Sequence, residues 1–552
     1  MKTLKDHVMK PMLLSRRELL RLTGAAVAGS VCAPQLLLAD ETAAGKLGYV
    51  VGETTGRKVG MKVLADGGNA IDAVVAAALA AAVAAPHQTG IGGYGMCALL
   101  ALDGGKRIVA VDGNSAAPAA MRADAFQPGP DGKVPGGVNH AGWLSAGVPG
   151  VLAGLQLALD RFGTRRLGEL LQPAIAVARD GFPWPKNLAA LVRGKRAFQQ
   201  DAGSRKLFFP NGRPLPPGEV FENPELAEML TTLAKANSVE SFYRGDIAQR
   251  IADGFQKNGG LVTVKDMAAY RARLVEAVTM RWGGFTIHTA PLTAGGLSVL
   301  QMLRTMQAMN WEKMPDSLPR TQARIEAMRL AWRDRLTLLG DPDFSKVPVI
   351  RLLSEDYARE SANKITAAVK AGKFLAHGVT PNPHAGTVNL SAADQQGNFV
   401  AVTLTHGGAF GACVTVEGLG LTLGHGMSRF DPNPGHPNAP GPGKRPLHNM
   451  VPTVVTRDGT AVLAIGGTGG RKIPNALLEV LTQFVVLGKP IAASIAAPRL
   501  HTEGDRALSF EKAWPATETR GLRQLGYTVK TGGSANISAV ALEDGLLHTA
   551  QR

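Results

Sequence analysis

Around residue 387 the chain changes character, and that change limits what it can fold into. Residues 371–386 are loose, with Pro381, Pro383 and Gly386. Thr387 to Ala393 then alternates like a strand, Asp394 to Asn398 supplies turn residues, and Phe399 to Thr405 alternates again. This reads as a β-hairpin. A second hairpin runs Pro452 to Thr456, turns at Arg457-Asp458-Gly459, and returns from Ala461 to Ile465. It leads into Gly466-Gly467-Thr468-Gly469-Gly470 and then a helical stretch, Ile473 to Leu487. Between the hairpins, Asp431 to Pro446 is rich in Pro and Gly and reads as a loop.

The part in front of residue 371 reads differently. Residues 47–370 alternate helical patterns with short turns. Val148-Pro149-Gly150 opens a helix through Asp160, Leu167 to Arg179 is amphipathic, and Ile325 to Leu339 closes at Gly340-Asp341-Pro342-Asp343. Ala70 to Ala85 is almost wholly Ala, Val, Leu and Ile. Asn69 can cap it, Asp72 suits the positive end of its dipole, and Pro86 ends it, so it reads as a buried core helix. There is no internal repeat. At 552 residues the chain can form one large α/β domain or two intimate ones.

The N-terminus reads as an export signal. Ser15-Arg16-Arg17-Glu18-Leu19-Leu20 precedes a short apolar stretch, Leu22 to Leu38, interrupted by Gly24, Gly29 and Pro34. Paired arginines ahead of such a stretch mark the twin-arginine route, giving a periplasmic or secreted protein with no stable membrane span. Cleavage after Ala39 fits, although Leu37 is not the usual small residue, and Cys32 is a weak site for lipidation. Cys97 and Cys413 then remain, in apolar surroundings that suit packing better than a disulfide. Of the formal charge of +16, residues 1–39 supply +4 (six Lys/Arg against Asp6 and Glu18), leaving +12 on the body. A basic body suits anionic small substrates, an anionic surface or simply a solvated exterior. No nucleic-acid module is present.

The motifs go further. Gly67-Gly68-Asn69-Ala70-Ile71-Asp72-Ala73 and Pro86-His87-Gln88-Thr89-Gly90-Ile91-Gly92-Gly93 resemble the opening signature of the γ-glutamyltransferase family, N-terminal-nucleophile (Ntn) hydrolases. Val148 to Gly154, Phe242 to Gly245, Asn258 to Leu261, Glu326 to Ala331, Gly340 to Phe344, Lys444 to Leu447 and Gly466 to Gly470 continue the series in the family's order. The resemblance implies a four-layer αββα sandwich formed by two chains cut from one self-cleaving precursor. Its segments would be a signal at 1–39, a large chain at 40–386 and a small chain at 387–552.

The family's nucleophile position falls on Thr387, after His384-Ala385-Gly386. The chemistry suits such a place. A Thr hydroxyl needs a base, and a free α-amine on the same residue can serve, since its pKa lies near neutrality. That amine is freed only when the Gly386–Thr387 bond breaks. Thr405 aligns with a Thr that holds the nucleophile's amine, and Gly469 and Gly470 align with the oxyanion-hole glycines. No cofactor is expected. His406, His425, His436 and His448 lie in one region, but their spacing matches no metal-ligand pattern.

The substrate positions depart from the family. Asn114 stands where an Arg binds the donor carboxylate, and His448-Asn449 stand where a Ser-Ser pair does. Gly407 and Gly426 replace polar amine-binding residues, and Arg429 replaces an acid that meets the donor ammonium. A guanidinium there would repel an ammonium and attract a carboxylate, unless Arg429 faces solvent or pairs with Asp431. The loop from Phe430 to Lys444 also looks short for a lid, which favours hydrolysis over transfer. The leading expectation is a self-processing amide hydrolase for a small amide or γ-glutamyl-type bond. The alternatives are a γ-glutamyltransferase or glutathione hydrolase with a non-standard donor site, and a catalytically silent relative that only binds a ligand.

Overall fold

The computed structural model describes residues 47–375 and 386–552. Twelve strands form two six-stranded antiparallel sheets. The strands are β1 (Gly48–Gly52), β2 (Gly95–Leu102), β3 (Arg107–Gly113), β4 (Arg273–Val275), β5 (Val278–Trp282), β6 (Phe285–Thr289), β7 (Val388–Asp394), β8 (Phe399–Thr405), β9 (Thr453–Arg457), β10 (Thr460–Thr468), β11 (Asn536–Glu543) and β12 (Leu546–Gln551). The first sheet has the order β1-β7-β8-β2-β3-β4, and the second β12-β11-β10-β9-β6-β5.

The two sheets stack face to face, and side-chain parity explains how. In β2, Met96, Ala98, Leu100 and Leu102 face the helices, while Cys97, Leu99 and Ala101 face the second sheet. Both faces are buried, so the strand is a continuous apolar run with no polar alternation. The layer between the sheets is rich in alanine, including Ala101, Ala110, Ala401, Ala461 and Ala464. Cys97 and Cys413 are buried and free, as their apolar surroundings suggest.

Helices cover the outer faces, so the expected four-layer αββα sandwich is what forms. On the first sheet lies α1 (Ala70–Ala84), buried along nearly its whole length. Asn69 and Asp72 form a reciprocal capping box at its start. The buried Asp72 carboxylate also accepts bonds from the Thr164 amide (2.8 Å), the Thr164 hydroxyl (2.6 Å) and the Arg165 amide (3.0 Å). On the second sheet pack α2 (Gly296–Ala308), α3 (Leu318–Leu338) and α4 (Lys472–Leu481). No helix among the described residues is long and apolar enough to cross a membrane. The twin-arginine stretch and Cys32 lie outside the described residues.

Two local readings change. The region before residue 371 contributes β1 to β6 as well as helices. The second hairpin is longer than its alternation suggests, with β10 reaching Thr468 opposite Asn536.

Candidate active site

The hairpin β7–β8 sets the centre of the site. Its register pairs Val388 with Leu404, so Thr387 and Thr405 stand across from each other at the open end of the hairpin. Parity points both into the gap between the sheets, together with Asn389, Ser391, Ala401 and Thr403. Below them the Asn389 amide bridges the Thr403 and Ser538 hydroxyls, 2.8 Å from each, tying the first sheet to the second.

Thr387 and Thr405 are 4% and 2% exposed. The Thr387 hydroxyl donates to the Gly386 carbonyl at 2.6 Å. The Thr405 hydroxyl donates to the same carbonyl, lies 3.3 Å from the Thr387 hydroxyl, and accepts the Gly407 amide at 2.8 Å. Gly386 has φ +137°, and a Cβ there would come within 2.7 Å of the Gly408 carbonyl carbon, so only glycine fits. Two hydroxyls therefore converge on one carbonyl, and the adjoining peptide bond is bare of side-chain bulk.

Gly469 and Gly470 follow β10 directly, at φ +144° and +62°, before α4 begins. β10 lies over the start of β7: a Cβ on Gly466 would reach 2.0 Å from Asn389 Oδ1. A backbone turned by two such glycines can aim N–H groups away from both strand and helix, the arrangement that stabilises a developing oxyanion.

A cavity of about 450 Å³ is lined in part by Arg335, Ser428, Arg429, Asn449 and Arg471, and it meets this centre at Arg429, bonded to Gly407, and at Arg471, which follows Gly470. Arg429 ends a short turn, Gly426–Arg429, and its Nη2 donates to the Gly407 carbonyl. Its ring neighbour is Tyr94, 5.9 Å below the guanidinium. Arg429 does not pair with Asp431, whose carboxylate instead accepts the Asn433 amide at 2.9 Å. Arg335, on α3, is 2% exposed and donates to the His448 carbonyl at 2.7 Å and to Asn449 Oδ1 at 3.3 Å. Burial, followed by the nearby Arg471 charge, pulls Arg335 down to about 10. Burial and Arg471 also lower Arg429.

Of the substrate-binding candidates, Arg429 and Asn449 reach the cavity wall. Asn114 is wholly buried, and its amide nitrogen is committed to the Thr293 hydroxyl (2.8 Å) and the Pro446 carbonyl (2.7 Å). His448 is 2% exposed, held near pKa 3 chiefly by burial, and so neutral at pH 7. Arg335, Arg471 and Tyr94 are functional candidates that the linear pattern misses. Among the described residues no cluster of ligating side chains could hold a metal ion.

Residues 56–550 match the family model of gamma-glutamyltranspeptidase. The chain belongs to the γ-glutamyltranspeptidase family. It is 34% identical over 473 residues to the glutathione hydrolase proenzyme of Escherichia coli (strain K12), covering 81% of this chain and 80% of that protein. It is 33% identical over 478 residues to the acylase ACY 1 proenzyme of Pseudomonas sp. (strain V22), covering 85% of each. The crystal structure of cephalosporin acylase from Bacillus halodurans superposes with a TM-score of 0.81 at 26% identity, covering 95% of this chain and 96% of that one. Membership of the γ-glutamyltranspeptidase family makes this an enzyme of the self-processing hydrolase and acyltransferase type, acting on small amides.

Proposed function

We propose that the protein is an exported amide hydrolase that cuts itself between Gly386 and Thr387 and then uses Thr387 as its nucleophile. The observation that carries this reading is the hydrogen bond from the Thr387 hydroxyl to the Gly386 carbonyl, shared with Thr405. Attack by Thr387 Oγ1 on the Gly386 carbonyl carbon replaces the peptide C–N bond with an ester C–O bond and frees the Thr387 amine. Water then hydrolyses the ester, leaving a Gly386 carboxylate and a free hydroxyl. The chains produced are 40–386, once a signal at 1–39 is removed, and 387–552.

In the mature enzyme the α-amine takes the hydroxyl proton as Thr387 attacks a substrate amide. Thr405 holds the amine and hydroxyl in place. The Gly469 and Gly470 amides stabilise the tetrahedral oxyanion, each worth about 3–4 kcal/mol. The leaving amine departs protonated, and water releases the acid from the Thr387 ester. The short loop beside the cavity favours water over an amine acceptor. The name glutathione hydrolase carried by the E. coli relative supports a second reading, a γ-glutamyl donor bound by different side chains.

Rapid quenching of the mature enzyme with a chromogenic amide, followed by peptide mass mapping, tests the reading. The acyl group should be found on Thr387. An acyl group on another residue, or turnover by Thr387→Ala, would reject it.

A further inference from the structure

We infer that Arg335 and Arg429 together form a binding site for an anionic group on the acyl half of the substrate. The ligand class is an ω-carboxyacyl amide without an α-amine. This deepens the preceding reading, and it rests on Thr387 being the acyl acceptor.

Arg335 is 2% exposed, and its hydrogen bonds go to oxygens that carry no net charge: the carbonyls of Ala294 (3.5 Å) and His448, and Asn449 Oδ1. Arg429 gives Nη2 to the Gly407 carbonyl, and its Nε is buried with no partner. Among the described residues, no carboxylate pairs with either guanidinium. Both feel the charge of another cation, Arg471, whose own partner is Glu503 at 3.1 Å. A buried cation without a counter-ion is costly to desolvate, and a second cation nearby adds to that cost.

Other buried arginines in this molecule do have counter-ions. Arg329 meets Glu326 at 2.6 Å, Arg324 meets Glu479 at 2.9 Å, and Arg445 meets Asp112 at 2.9 Å. Arg335, fully buried, and Arg429, half-buried, lack one and line the same cavity, which reaches the site through the bond from Arg429 to the Gly407 carbonyl. Its one carboxylate wall residue, Asp431, is engaged by Asn433 and sits 3.8 Å from His436. An incoming carboxylate would supply the missing charge, and a planar guanidinium suits it in bidentate fashion. An ammonium on the same acyl chain would be repelled by Arg335, Arg429 and Arg471 on that wall. The site therefore selects for the carboxylate and against the amine of a γ-glutamyl group.

The test uses the self-cleaved protein and three p-nitroanilides of similar acyl length: glutaryl, γ-glutamyl and butyryl. The wild type should prefer glutaryl by at least about tenfold in kcat/KM over each of the others. Arg429→Ala and Arg335→Lys should lose about ten- to a hundredfold on glutaryl, the range for one charge-assisted contact, and should lower the glutaryl-to-butyryl ratio of kcat/KM by at least about tenfold. Should Arg335→Lys fail to fold, Arg429→Ala and Arg429→Lys decide. Calorimetric titration with free glutarate provides a readout independent of turnover, and its affinity should fall at least about tenfold in Arg429→Ala. A γ-glutamyl preference, or equal glutarate affinity in wild type and variant, overturns the inference. Inertness toward all three anilides would contradict the amidase reading instead, with the glutarate titration still deciding this one.

Discussion

The hydroxyls of Thr387 and Thr405 lie 3.3 Å apart and both donate to the carbonyl of Gly386. The hairpin register places them there, because Val388 pairs with Leu404 and the next step outward brings the two threonines opposite each other. Polarisation of the Gly386 carbonyl by Thr405 is what a slow intramolecular attack needs. Thr405→Val should therefore slow the cutting of the precursor by about ten- to a hundredfold, while Thr405→Ser should nearly restore it. Gel-based timing of the freshly purified precursor reads this directly. Cutting at the wild-type rate in Thr405→Val would remove Thr405 from the mechanism.

Gly469→Ala should damage the proposed oxyanion site. The backbone there has φ +144°, and the new Cβ would lie 2.9 Å from Ala535 Cα, so the peptide must shift. Loss of one aligned donor lowers kcat by about a hundred- to a thousandfold. Steady-state kinetics on the mature variant checks it, and a kcat within threefold of wild type would rule out the assigned role.

Acid should destabilise the fold through buried histidines. Burial holds His406 and His448 near pKa 3 and His87 near 4, against 6.5 for an unburied histidine. The unfolded chain then binds protons that the folded chain refuses. Stability is at its fullest above about pH 6.5 and declines as pH falls toward the folded values, by up to about 1.4 kcal/mol per pH unit for each group. Thermal unfolding between pH 7.5 and 4.5 should show a falling midpoint, with part of the slope removed in His406→Asn. A midpoint flat over that range would contradict the burial argument.

Export rests on residues outside the described part of the structure. Arg16→Lys with Arg17→Lys should leave the precursor in the cytoplasm, read by fractionation of expressing cells. Unchanged export of the double variant would reject the twin-arginine reading.

The legibility of these features follows from how local they are. The Asn69–Asp72 capping box spans four residues, and the pattern shows it. The hairpin β7–β8 is closed by a short turn, so its register, and with it the Thr387–Thr405 pairing, is nearly fixed by loop length. β2 gives no strand signal in the sequence because helices bury one face and the second sheet the other, leaving Gly95–Leu102 without alternation. Arg335 reads as an ordinary charge on a long helix until the fold brings it to Asn449. Asn114 shows the opposite limit. Sequence order gives its place in the family pattern, but Thr293 and Pro446, far along the chain, decide where its amide points.

Self-cleavage before Thr387 is read by N-terminal sequencing of the smaller chain from freshly purified protein, beside the Thr387→Ala variant. The wild type should yield a smaller chain beginning Thr387-Val388-Asn389-Leu390, and the variant an uncut polypeptide. An intact wild-type chain that hydrolyses amides, or a small chain with a different first residue, would contradict it.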